Sequence, residues 1–453
     1  MQGNIKKRLF SISYKQPDLT SLIILTMVIA ASVARTRLYG DIRLSIASND
    51  TSSYVDSSHV RLFSTEIMTG RRPLTTNLLY KILEPKEGYE ILVNGSGDTT
   101  RRAFQPGFDR IVILQLILSL LGWGYLAITV AEHLSNPFMK FLGAFIIVVF
   151  AFTPQIADWD SVLMSESLTF SMFSFQAAIL VRLVFLTYKD PDTRVPAYTV
   201  VWAAVTFLWT FLRDTNLFSS VMTFMLISCL FISQRYRKST ILHFMLSISA
   251  GFAILGLITS GNSTRSLIQT AHVFESDLLP SPARVASLQA MGMPEPYSTE
   301  YQVWFLEKGS TALVRILLIH PGYTAEKIIK DFPPSFTNIN QTYFKAPEQA
   351  EARGILMSLG NALHPENTTP FLMTALLLIG LIYIATKNIN STSQPWAWLG
   401  MWLFLTACTV LFVTILGDTF GLNRHSIFPT MIFRLCMWIF SIIAMDIALD
   451  RNI

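Results

Sequence analysis

Four groups of ionisable residues stand out in a chain otherwise built of apolar runs. The first is Asn49-Asp50-Thr51-Ser52-Ser53-Tyr54, followed by Asp56, His59 and the turn Gly70-Arg71-Arg72-Pro73-Leu74. The second is Asp158-Trp159-Asp160, with Glu166 a little further on. Arg213-Asp214 is the third, and Asp418 with Arg424-His425 the fourth. A carboxylate can take the proton of an attacking hydroxyl. Arginines bind phosphate in a bidentate fork and stabilise the charge that grows on a departing phosphate. Together these residue types suit transfer of a sugar from a phosphate leaving group to a hydroxyl.

Each group also has a plainer reading. Asp50 fits the N-cap of a helix over about 53–69, because Asp is favoured there. That role is compatible with presenting a carboxylate to substrate. Asp158 and Asp160 suit the positive end of a helix dipole, with Trp159 as an interfacial anchor. Glu166 falls inside an apolar run and must face the bundle or a water-filled cavity. Arg213 and Asp214 can simply pair with one another, and each arginine can snorkel to lipid headgroups.

The elements that must position these residues follow from composition. The chain has 453 residues, of which 51% are hydrophobic and only 14% charged, and its mean hydropathy is +0.44. Runs of the length needed to cross a bilayer, roughly 20 residues, recur throughout. The expected fold class is therefore all-α: a polytopic transmembrane helix bundle. About ten spans are expected, at roughly 18–35, 111–131, 137–156, 162–186, 197–212, 215–233, 240–260, 369–386, 396–416 and 427–448. A net charge of +5 without a basic run gives no reason to expect a nucleic-acid partner. Cys229, Cys408 and Cys436 lie in apolar runs and read as small buried hydrophobes. The run after Lys6, Lys7 and Arg8 is too long for a signal-peptide core and reads as an uncleaved first helix.

Sides follow from Lys and Arg in short connections. With Lys6, Lys7, Arg8 and Lys15 cytoplasmic, the connection at 132–136, Lys189 to Arg194, Gln234 to Lys238, and the segment with Lys387 return to that side. All four ionisable groups then fall on the opposite, extracytoplasmic side. Three parts are expected: an N-terminal transmembrane module over 1–260 with a first outer loop at 36–110, an outer, partly interfacial helical segment over 261–368, and C-terminal transmembrane helices over 369–453. His320-Pro321-Gly322 is expected to end a helix in the middle part.

In their order, these motifs resemble the GT-C superfamily of polytopic, lipid-phosphate-sugar-dependent glycosyltransferases. Protein mannosyltransferases and the aminoarabinose transferases of lipid A belong to it. The resemblance rests on Asn49-Asp50 to Tyr54, Gly70 to Leu74, Ser165-Glu166-Ser167, Arg213-Asp214 and Arg424-His425. It implies a prenyl-phosphate sugar donor, a lipid, glycan or protein acceptor, and an inverting single displacement at the outer face of the plasma (inner) membrane. Asp50 would be the base, with Asp56 as the other candidate. Arg213, Arg424, His425, Arg71 and Arg72 would hold the donor phosphate. Tyr54, Asp158, Asp160, Glu166 and Asp214 would orient sugar or acceptor. No cofactor is implied as obligatory; a divalent metal stays open, because some relatives use one. The first loop departs from a frequent family pattern of two adjacent acidic residues, since Asn49 precedes Asp50.

Two other readings stand beside this one. A transporter or flippase of lipid-linked sugars would place ionisable residues at mid-membrane, often in matching halves. An O-antigen ligase or polymerase type of membrane enzyme would keep its main cations in the long outer segment, which holds Arg265, His272, Arg284, Arg315, His320, Arg353 and His364.

Overall fold

The computed structural model describes residues 19–93, 102–339, 350–387 and 392–450. Lys6, Lys7, Arg8 and Lys15 lie outside them. In chain order the helices are α1 (Leu19–Leu38), α2 (Thr51–Ser58), α3 (Glu66–Thr69), α4 (Leu74–Leu83), α5 (Asp109–Glu132), α6 (Pro137–Phe152), α7 (Pro154–Ala157) and α8 (Glu166–Lys189). They continue as α9 (Ala197–Thr210), α10 (Leu217–Leu230), α11 (Thr240–Gly261), α12 (Leu267–Val273), α13 (Pro282–Ala290), α14 (Thr299–Ile319) and α15 (Pro321–Asp331). The last are α16 (Ala350–Leu363), α17 (Thr369–Lys387), α18 (Ser393–Gly417), α19 (Leu422–His425) and α20 (Ile427–Asp450). Among the described residues the strands are β1 (Leu44–Ser45) and β2 (Ala103–Phe104), paired antiparallel. The protein is an all-α, multi-pass membrane protein.

The expectation of about ten spans needs correction. Seven helices (α1, α5, α8, α11, α17, α18 and α20) are long and apolar enough to cross a bilayer. α6 and Pro154–Ser161 make an eighth if the two are counted as one span; they are bent by 54° at their break. The break falls where Pro154 has no N–H to donate, and Thr153 has an extended backbone. The expected spans at 197–212 and 215–233 are the 14-residue helices α9 and α10. Each is about 21 Å long, well short of the roughly 30 Å hydrocarbon layer. Asn216 closes the corner between them by donating to the Trp209 carbonyl at 2.8 Å.

Local chemistry fixes the helix ends. Pro137 opens α6, and the Asn136 side chain accepts from the backbone N–H of Phe138 and Met139. Asp446 of α20 accepts from the N–H of Ser135 and Asn136 at 2.9 and 2.8 Å, which ties this end of the bundle together. In the middle, Phe173 stacks on Trp402 and meets Phe428 edge-on. Trp209 and Trp402 are buried, with their indole N–H groups on the Thr169 carbonyl and the Thr223 hydroxyl. Such satisfied aromatic anchors suit a core between helices that have lipid on their other faces.

The described chain between α11 and α17 is mostly helical, with turns joining the helices. Val273, Phe274, Leu288, Trp304, Leu313 and Ile316 form a small core of their own. α14 ends at Ile319 with His320 as its C-cap and Pro321 opening α15, as the sequence leads one to expect.

Candidate active site

The first loop is pinned before it reaches Asp50. β1 pairs with β2, and Ile46 bridges Val162: the Ile46 N–H donates to the Ser161 carbonyl at 2.8 Å and the Leu163 N–H to the Ile46 carbonyl at 3.0 Å. The Thr51 hydroxyl donates to the Leu163 carbonyl. These contacts set Asp50 beside the start of α8, where Glu166 sits.

Asp50 occupies the N-cap position of α2, but its side chain makes no capping hydrogen bond. The expected long helix over 53–69 is instead α2 and the separate short α3. The carboxylate turns to two arginines from distant parts of the chain. Arg424 donates to it at 2.7 Å, and Arg72 lies 3.3 Å away. Burial by itself would raise the pKa of Asp50; the charges of Arg424 and Arg72 outweigh it and hold the carboxyl below its usual range.

Arg424 has a second anionic face. Its Nε lies 3.7 Å from Glu166, which is 2% exposed. Neither Glu166 Oε2 nor Arg424 Nε has a hydrogen-bond partner among the described residues. His425 turns to Asp418, with Nδ1 donating at 2.5 Å, which leaves Nε2 to accept from Arg424 at 3.4 Å. Asp418 is 2% exposed and also takes the N–H groups of Thr419 and Phe420 and faces His272 Nδ1 at 3.4 Å. Burial opposes its ionisation, yet His425 and those N–H groups hold its pKa below the usual value.

Other expected site residues fall at various distances from this centre. Tyr54 is buried, with the Arg72 guanidinium 4.1 Å over its ring and Tyr80 stacked against it. Arg71 is exposed and 3.7 Å from Asp56, so the two form a loose surface pair away from Arg424. His59 faces Glu84 rather than Asp50. Asp158 is fully buried under Arg353, and Asp160 is buried between Arg35 and the Ser167 hydroxyl. Asp214 receives both ends of the Arg265 fork at 2.7 Å, and Arg265 also holds the carbonyls of Met68 and Gly70. Arg213, next to that pair, is half-buried and makes no ion pair or side-chain hydrogen bond among the described residues.

The geometry thus joins all the expected clusters to one end of the bundle and separates two kinds of charge. Asp158, Asp160 and Asp214 each hold an arginine that docks a neighbouring segment. Asp50, Arg72, Arg424 and His425 instead meet at a partly open centre. Sequence reasoning named Arg265, His272 and Arg353 only as cations of the ligase or polymerase reading, and it did not single out Arg35 or Lys327. Lys327 is buried between Asp277 and Asp331 at 2.9 Å from each and donates to the Asp418 carbonyl. Only its spacing of four residues from Asp331 is a signal that sequence carries.

Among the described residues no group of three or more His, Cys, Asp or Glu side chains is arranged to hold a metal ion. Asp50 and Glu166 both face Arg424, so as placed they do not fit a divalent cation.

No protein-family model and no curated protein matches the chain. Solved structures of the oligosaccharyltransferase from Archaeoglobus fulgidus are similar to it over most of its length. AglB in complex with an inhibitory peptide and a dolichol-phosphate aligns with 96% of this chain at 13% identity and a TM-score of 0.48. The apo form covers 95% at 13% identity and 0.49, and a complex with Zn and sulfate covers 94% at 12% identity and 0.47. The chain spans about half the length of these structures, 52%, 51% and 49% respectively.

Proposed function

We propose that this chain is a membrane glycosyltransferase. It would move a sugar from a prenyl-phosphate donor to an acceptor hydroxyl or amide at the extracytoplasmic face of the plasma (inner) membrane. The observation that carries the reading is the half-exposed Asp50 carboxylate shared by Arg424 and Arg72. A base and two cations, drawn from the first loop and from the approach to the last helix, meet at one point.

In this reading Asp50 accepts the acceptor's proton as the acceptor attacks the anomeric carbon, and the configuration inverts. The bond to the prenyl phosphate breaks, and the phosphate takes the electron pair. Arg424 and Arg72 stand beside the base, and among the described residues Arg213 has no ion-pair partner to release; these three hold the phosphate, with His425 steadying Arg424. Charge makes binding and catalysis interdependent. While Arg424 and Arg72 neutralise Asp50, its low pKa makes it a weak base. A donor phosphate that draws them away raises that pKa and sharpens the base. Glu166 and Tyr54 lie next to the same arginines and line the floor on which sugar or acceptor rests.

The test is transfer by the purified chain with a panel of prenyl-phosphate sugars and hydroxyl and peptide acceptors. The anomeric configuration of the product is read by NMR. Transfer with inversion is expected; a product with retained configuration, or no transfer from any lipid-phosphate sugar, overturns the reading.

A further inference from the structure

We propose that Phe420 and His272 form a stacking platform for a pyranose ring at the rim of the Asp50 centre. This inference rests on the glycosyl-transfer site described above. Phe420 is 72% exposed on the protein surface. Yet its backbone is not free: its N–H and that of Thr419 both donate to the buried Asp418 carboxylate, at 3.1 and 2.7 Å. The ring is therefore held out by a fixed support. His272, on α12, lies against it with 5.4 Å between ring centroids and is steered through Nδ1 by the same carboxylate. That contact leaves Nε2 as the imidazole's free hydrogen-bonding atom.

A pyranose offers an apolar face of C–H groups and an edge of hydroxyls. An exposed phenyl face flanked by an anchored imidazole matches both. The position suits a sugar of the transfer reaction, because Asp418 also holds His425, which touches Arg424, which holds Asp50. Phe63 is exposed as well, but it makes no ring contact among the described residues and belongs to no such chain of contacts.

The experiment is equilibrium binding to the detergent-solubilised full chain. The probes are farnesyl phosphate alone and a panel of farnesyl-phosphate sugars. For the sugar that wild type binds best, Phe420→Ala should weaken binding about tenfold and Phe420→Trp should retain it, as expected for loss and retention of a ring contact. His272→Ala should weaken it severalfold, and farnesyl phosphate alone should bind all forms equally. Equal weakening of both probes by Phe420→Ala would assign the ring to the lipid and overturn the platform. So would a wild type that gains nothing from any sugar. A wild type that binds neither probe overturns the underlying site, a result distinct from these two. Gel filtration of each variant separates misfolding from lost binding.

Discussion

Replacing Asp50 by Asn should separate chemistry from binding in a direction that most active-site substitutions do not. The amide keeps the carboxylate's shape but cannot take a proton, so kcat should fall by about 10²–10⁴, the usual yield of a positioned base. Donor affinity should move the other way. In the wild type Asp50 competes with the incoming phosphate for Arg424 at 2.7 Å and for Arg72 at 3.3 Å. All three side chains are partly open to water, so the competing interaction is worth about 1 kcal/mol rather than the larger value of a buried pair. Removing it should tighten donor binding about fivefold. The same discount limits the structural damage, with an expected fall in melting temperature of about 2–4 °C or less. The assay is steady-state transfer from a prenyl-phosphate sugar, with donor Kd measured separately and melting followed in the same detergent. Retained kcat would remove Asp50 as the base and bring Asp56 forward. A donor Kd that rises as kcat falls would show that the arginines do not exchange Asp50 for phosphate.

Arg213→Ala should raise donor Kd several-fold without loss of melting temperature, because Arg213 has no partner to abandon among the described residues; Arg71→Ala, at an exposed pair of 3.7 Å, should change neither quantity measurably in the same titration and melt. Lys327→Met should cost about 3–5 kcal/mol of stability by leaving Asp331 without its cation and Asp277 with only Lys330 at 3.3 Å, and adding Asp277→Asn and Asp331→Asn should recover much of the loss in denaturant melts. His364 is held neutral by burial and by the nearby Arg434 charge, which push its pKa down to about 3. The unfolded chain binds a proton there below about pH 6.5 and the folded chain does not, so stability should fall as pH drops from 6.5 toward 3; His364→Gln should flatten that slope in melts across the window. Asp50, Asp277 and Asp418 have pKa values lowered from 3.8, so their stabilisation is present above about pH 4 and lost as pH falls through the lowered values. Acid melts of the His364→Gln form should isolate this second, lower window.

Hydropathy made the bundle legible, because a bilayer imposes one length on whatever crosses it. It failed at α9 and α10, where the apolar runs on either side of the polar corner at Arg213 to Asn216 extend a few residues beyond the helices and hide how short each one is. It also missed the break at Pro154, since a bent crossing is as apolar as a straight one. At the site, sequence placed Asp50 and Arg424 among the candidates, with their roles implied by the resemblance. Their pairing was not legible, because 374 positions separate them and no local pattern records a contact of that range. The same limit applies to Asp158 and Arg353, and to Asp214 and Arg265, where the sequence offered Asp214 a nearer arginine at 213. Capping propensity was informative about the place of Asp50 and misleading about its side chain, since a nearby guanidinium is a stronger partner than a helix N–H.

Those long-range pairs explain why one end of this bundle carries nearly all of its charge pairing across connections. Arg353 with Asp158 and Arg265 with Asp214 each fix a segment of the 261–368 region to a corner of the helices. Lys327 does the same through Asp277, Asp331 and the Asp418 carbonyl. Breaking a buried pair is costly, so these contacts set a rigid frame. Inside the frame the pairs of Asp50 with Arg72 and Arg424 are partly exposed and therefore cheap to exchange. Rigid pairs outside and exchangeable pairs inside are what a site needs if an anionic substrate is to enter by displacing an internal carboxylate. In the proposed reaction such a frame would keep Arg72 and Arg424 near the site while they exchange Asp50 for the donor phosphate, which would free the carboxylate to act as a base.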